Sequence, residues 1–190
     1  AVKRYKKAIQ FKPNQFLKFF PTFEEKAYIL DFFSKQIDET ASKEENLAKI
    51  KLELFKFFDT RTGTPSNLMD NLSVFEQFKR LEKHKDMAWC GNIANVFCFV
   101  TACYGYKTRI IGLGNTFKKE GEVTFYHSDH HTISEVYNDE TERWEIVDIT
   151  GSLSKATFNG KTLNFIDFIH LINNKKLQRD VTIFEFEPKL

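Results

Sequence analysis

The chain has 190 residues, 42% apolar and 28% charged, with 8 Gly, 4 Pro and 3 Cys. That composition builds one globular domain with a real core, and it excludes a disordered chain, a collagen, a low-complexity repeat and a disulfide scaffold. A net charge of +2 is too small to make nucleic acid the expected partner.

The charge is uneven. Lys3, Arg4, Lys6, Lys7 and Lys12 stand in the first twelve residues without an acid among them. Residues 1–20 read as a basic and apolar arm, a solvated start to the chain. Residues 21–190 read as a single domain, helical over about 21–105 and a sheet over about 106–190. The longest mostly apolar stretch, Val96 to Tyr106, has about half the length of a membrane span. An odd count of three Cys points to free thiols, and so to a reducing, cytoplasmic setting. A start at Ala1 without Met fits a removed leader or a segment of a longer chain.

In chain order, Pro13 and Pro21 bracket an apolar plug of Phe16, Leu17, Phe19 and Phe20. After Pro21, Phe23, Ala27, Leu30 and Ile37 recur at helical spacing, with Glu24 and Glu25 in the dipole-favoured first turn. Ser42 and Glu45 form a capping box for a second helix, with Leu47, Ile50, Leu54, Phe57 and Phe58 as its inward stripe. Residues 60–66 carry Gly63 and Pro65 and read as a loop. A third helix is expected from about Asn67 to Lys83, with Leu68, Leu72, Phe75 and Leu81 inward. From Cys90 to Cys103 no polar face remains, the pattern of a helix buried on all sides, and Gly105 ends it.

The period then changes to two. Thr108–Leu113, Glu122–His127, His131–Tyr137 and Arg143–Ile149 read as strands, and Leu163–Asn173 as a short helix. Val181–Phe186 is expected to close the sheet. Residues 115–122, rich in Lys and Glu, are expected to be a plain hairpin connection. Helices first and an antiparallel sheet after them make an α+β domain, with a central buried helix that carries a Cys and packs on the sheet.

Cys90 sits in the first turn of that buried helix. A helix start supplies partial positive charge and free N–H groups, which lower a thiol's pKa and suit an oxyanion. Cys98 and Cys103 lie deeper and read as small buried hydrophobes. A nucleophilic thiol needs a base, and the base an orienter. With Asp139 and Glu140 at the turn, Asn138 faces Thr141, and the register places His131 directly opposite Asp148 on one face. Adjacent strand residues point to opposite faces, so only one of His130 and His131 meets Asp148; the register selects His131. His127, Asp129, His130 and His131 are dense in potential ligands, but no second Cys or His pair stands at metal-ligand spacing, so no metal is expected. His84 and Asp86 are candidates for the cleft mouth, and His170 reads as a satisfied structural residue.

Five ordered pieces between Met87 and Thr150 carry a resemblance. They are Ala88-Trp89-Cys90-Gly91; Ala94; Gly105-Tyr106-Lys107-Thr108-Arg109-Ile110-Ile111-Gly112; His131-Thr132-Ile133-Ser134-Glu135-Val136; and Trp144-Glu145-Ile146-Val147-Asp148-Ile149-Thr150. Together they resemble the core of the transglutaminase-like superfamily, of papain-like fold. The resemblance implies Cys90 as nucleophile, His131 as base and Asp148 as orienter, with Arg109, Glu135 and Trp144 as structural supports. The chain departs from the family pattern at Ala88, at Thr132 and Ile133, and at Ile149, which bears on the shape of the cleft and removes none of the three reactive groups.

The implied enzyme attacks an amide of a protein or peptide, passes through an acyl-enzyme, and releases it to water (peptidase, amidase or deamidase) or to an amine (transglutaminase). It calls for no cofactor. Trp89 is either a packing residue under the site or an indole wall of the acyl pocket. The Cys90 N–H serves the oxyanion, with Gln77 and Asn71 as candidates for a second donor and His130 as a cleft candidate. The alternative is a binding or scaffolding module on the same fold whose triad is idle.

Overall fold

The computed structural model describes the backbone of residues 19–38, 40–119, 122–173 and 181–185, and the side chains of these apart from 113–130, 169 and 172–185. The basic arm and the apolar plug, except Phe19 and Phe20, lie outside the described residues.

Three helices open with one device. Thr22, Ser42 and Ser73 each accept the N–H of a Glu three residues on, and that Glu takes back the cap's own N–H. Each such box satisfies two donors that a helix start leaves orphaned. The boxes begin α1 (Phe23–Phe32), α2 (Lys43–Asp59) and α3 (Val74–Glu82). The box at Ser73 corrects the expected third helix. Residues 69–71 form a separate 3-10 turn, Met69–Asn71, and α3 starts only at Val74.

The inward stripe of α2 is as expected, every one of its five residues being buried. The face expected for α1 is not. Phe23 is 83% exposed and Ala27 exposed, while Ile29 and Phe33 are buried; of the expected face Ile37 is buried, but it lies beyond the end of the helix. In the 67–83 segment Leu68 is exposed, and Phe78 joins Leu81 in the core. The Phe78 ring stacks on Phe57 at 5.1 Å and meets Phe32 edge-on at 5.2 Å.

α4 (Cys90–Cys103) runs through the middle. It packs against α1, α2 and α3 on one side and on β1 (Thr108–Lys119) and β2 (Glu122–Asn138) on the other. β3 (Arg143–Val147) completes an antiparallel sheet in the order β1-β2-β3. The segments expected as two strands, Glu122–His127 and His131–Tyr137, are one strand.

A second three-stranded sheet, β5-β4-β6, corrects the single sheet expected. It consists of β4 (Leu153–Phe158), β5 (Lys161–Thr162) and β6 (Val181–Glu185), with α5 (Phe165–Asn173) between the last two in sequence. The two sheets join at an isolated bridge between Asp148 and Leu153. Period two then divides the core. Val136 and Val147 face the helices, whereas Ile111, Ile133 and Ile146 pack with Ala156, Leu163 and Phe165 in a second cluster.

The β2–β3 register differs from the expected one by two positions. Asn138 pairs with Arg143, and the ladder ends at Ser134 with Val147. Residues 139–142 make a longer turn, closed by Asn138 Oδ1, which accepts the N–H groups of Glu140 (2.9 Å) and Thr141 (3.2 Å). His131 and Asp148 are therefore not directly opposed. A slip of two keeps every side chain on its face, so the two still lie within reach of each other.

Candidate active site

Cys90 is the first residue of α4. The first backbone bond of the helix runs from the Ile93 N–H to the Trp89 carbonyl at 2.9 Å. The N–H groups of Cys90, Gly91 and Asn92 therefore stand outside the helical ladder. Asn92 fixes this start. Its Oδ1 accepts the Trp89 N–H at 3.1 Å, and its Nδ2 donates to Gln77 Oε1 at 3.1 Å.

Across from the thiol stands His131. Its Nε2 donates to Asp148 Oδ2 at 2.6 Å. Nε2 being engaged, Nδ1 is the ring nitrogen left to face the Cys90 thiol, and the two side chains line one groove. The hydrogen bond to Asp148 outweighs partial burial and raises the His131 pKa to about 9, helped by the thiol. Burial works against ionisation of Cys90. Hydrogen bonds from His131 and from the Thr132 backbone outweigh it and hold the thiol below its ordinary range. Burial pushes Cys98 and Cys103 the other way, up to about 12. All three thiols are free.

Asp148 is held in turn. Its Oδ1 accepts the Gly151 N–H at 2.9 Å, and its backbone exchanges two hydrogen bonds with Leu153, at 2.9 and 2.7 Å. Behind the site, Arg109 Nε donates to Glu135, which is fully buried and also accepts the Phe165 N–H at the start of α5. The Arg109 guanidinium lies 4.2 Å from the centre of the Trp144 ring. These three residues tie β1, β2 and β3 to α5 and do not line the groove.

The groove has a volume of about 760 Å³. Cys90, Gly91, Asn92 and Asn95 come from α4, Thr62, Gly63, Asp70, Gln77 and Trp89 from the helical part before it, and His131, Thr132 and Thr150 from the sheet. Trp89, with 57% of its surface exposed, is a wall of this groove and not a wedge beneath it. Gln77 reaches the groove. One of its Nε2 hydrogens goes to the Leu72 carbonyl at 3.1 Å, and an amide nitrogen has two to give. Asn71 does not line the groove; its Nδ2 turns back to the Asn67 carbonyl at 3.3 Å. The 3-10 turn buries Met69 and presents Asp70 instead.

The His127, Asp129 and His130 side chains lie outside the described residues. Among the described residues no three His, Cys, Asp or Glu side chains gather as metal ligands, and no helix is long and apolar enough to cross a membrane. Neither cleft-mouth candidate lines the groove. The Asp86 carboxylate is buried, accepting from Ser66, Met87 and Arg80. His84 accepts from Arg61 Nη2 at 2.8 Å. Asp70, Asn92, Asn95 and Thr150 are groove residues that the sequence does not single out, while Thr132, one of the departures expected to shape the cleft, lines it. Asn92 and Asn95 carried a signal, as amides interrupting an otherwise apolar helix. Asp70 carried none.

Comparison with family models, with curated proteins and with solved structures finds no match.

Proposed function

We propose that this chain is a cysteine hydrolase or acyltransferase of transglutaminase-like type, on a papain-like fold, acting on an amide of a protein or peptide. One observation carries the reading: a thiol at a helix start and an imidazole that Asp148 orients at 2.6 Å line one open groove. With His131 raised to about 9 and Cys90 lowered, the two favour a thiolate and an imidazolium at neutral pH.

Sγ of the thiolate bonds to the carbonyl carbon, and the carbonyl electron pair moves to oxygen. The N–H groups of Cys90 and Gly91 receive that oxyanion, with Gln77 Nε2 as a further donor. His131 gives its proton to the amide nitrogen as the C–N bond breaks, and the amine leaves a thioester on Cys90. Water then adds while His131 takes its proton. Collapse expels the thiolate and yields the acid; an amine in place of water yields a new amide. Water is the default acceptor, because it needs no subsite of its own.

The test is the alkylation rate at each Cys against pH, read by mass spectrometry, with His131→Ala alongside. Cys90 alone is expected to react rapidly near and below pH 7, and to lose that reactivity in the variant. A Cys90 no faster than a free thiol in the folded protein would overturn the reading in favour of a binding module with an idle triad.

A further inference from the structure

We propose that the groove selects a peptide carrying Lys or Arg beside the residue whose carbonyl meets Cys90, and that Asp70 and Trp89 form the subsite that reads this cation. The proposal rests on Cys90 being the reacting thiol.

The groove's lining is almost wholly neutral: Thr, Gly, Asn and Gln surround the reacting pair. A thiolate and an imidazolium side by side cancel. Asp70 then supplies the remaining formal charge among the described lining residues, and it is negative. The turn that carries it is anchored by Met69, fully buried one residue before, which holds the Asp70 backbone at the rim of the groove. Other acids near the groove are committed: Asp86 to Ser66, Met87 and Arg80, and Asp148 to His131 and Gly151.

Trp89 adjoins the nucleophile in sequence, is more than half exposed and lines the same groove. An indole face and a carboxylate are the two groups that together hold an ammonium or guanidinium, one through the ring quadrupole and the other through charge-assisted hydrogen bonds. A Glu or Asp at the same substrate position would meet repulsion from Asp70 with no compensating cation in the described lining. Because Trp89 is next to Cys90, the cation belongs on the residue adjoining the acyl residue and not on a distant one.

The experiment compares three affinity labels, acetyl-X-glycyl chloromethyl ketones with X as Lys, norleucine or Glu. The rate of Cys90 modification is read by mass spectrometry at low and high salt. Lys is expected to exceed norleucine by about fivefold at low salt, with Glu slowest, the scale of an exposed ion pair. Asp70→Asn should lower the Lys-to-norleucine ratio to the small share that the indole holds, and Asp70→Lys should reverse the order. Added salt should shrink the ratio in the unaltered protein, which checks the electrostatic origin without any variant. Trp89→Ala should lower the ratio and Trp89→Phe keep most of it. Equal ratios in the unaltered protein and Asp70→Asn, with Cys90 still reactive, overturn the subsite and leave the nucleophile standing. A Cys90 that reacts with none of the labels overturns the nucleophile, and the subsite with it.

Discussion

A methyl group at Gly151 would stand 2.5 Å from Asp148 Oδ2 and 3.0 Å from its Cγ, inside any real carbon contact. The same Asp148 oxygen receives the His131 proton. Gly151→Ala must therefore push the carboxylate off the imidazole. The expected result, by proton NMR, is a His131 pKa that falls from about 9 toward the ordinary 6.5. Cys90 alkylation near pH 7.5, where an imidazole of ordinary pKa is largely neutral, should fall with it, while the far-UV dichroism stays unchanged. A His131 pKa still near 9 would mean that the backbone, not the carboxylate, had given way.

At the scale of elements, the polar devices carry more than the stripes alone. Ser73 holds the start of α3, and α3 holds Gln77 against Asn92. Ser73→Ala should cost about 1 kcal/mol in urea unfolding. Lys51 and Glu145 form a buried ion pair at 3.2 Å between α2 and β3. Asn138 Nδ2 donates to the second Glu145 oxygen at 3.0 Å. Lys51→Met leaves that buried carboxylate only Asn138 and the more distant Lys155, 3.9 Å away, and should cost about 2 kcal/mol, part of which Glu145→Gln in the same chain should restore. Periodicity made α2 and α4 legible, because long apolar stripes at helical spacing admit few other readings. It hid Lys51, which occupies an inward position four residues after Leu47 but carries a charge that reads as outward. β4 was illegible because only Ala156 of its six residues is buried, so alternation has no contrast. The turn after β2 was misjudged because its positive φ of 53° falls on Glu142 and not on a glycine. That Cys90, His131 and Asp148 come together was legible for a different reason: helix start, strand face and spacing each constrain one of them, and a two-residue slip leaves the faces intact.

Across the whole molecule, two groups bound stability against pH from opposite sides. The Asp86 carboxylate is buried, which alone would raise its pKa. Ser66, Met87 and Arg80 overcome that and hold it down to about 2. Its stabilisation is complete above the unfolded value of 3.8 and fades as pH falls through about 2. His131 works the other way. Its folded value of about 9 exceeds the unfolded 6.5, so its contribution is complete below 6.5 and fades as pH rises through 9. Melting temperatures from pH 1.5 to 10 should show Asp86→Asn destabilised above pH 4 and converging with the unaltered protein in strong acid. Asp148→Asn should be destabilised at pH 6 and converge toward pH 10. Parallel curves would remove either group from the account.

Asp148 belongs to two structures at once. Its side chain orients His131, while its backbone, through Leu153, is the stitch between the first sheet and the second. On the proposed function, the reactivity of one sulfur atom is thereby a gauge of whether the C-terminal sheet has docked. A protease cut or a bound protein that peels β4 away from Asp148 would silence the thiol while α1 to α4 stayed packed. The molecule would lose that alignment before it lost its shape.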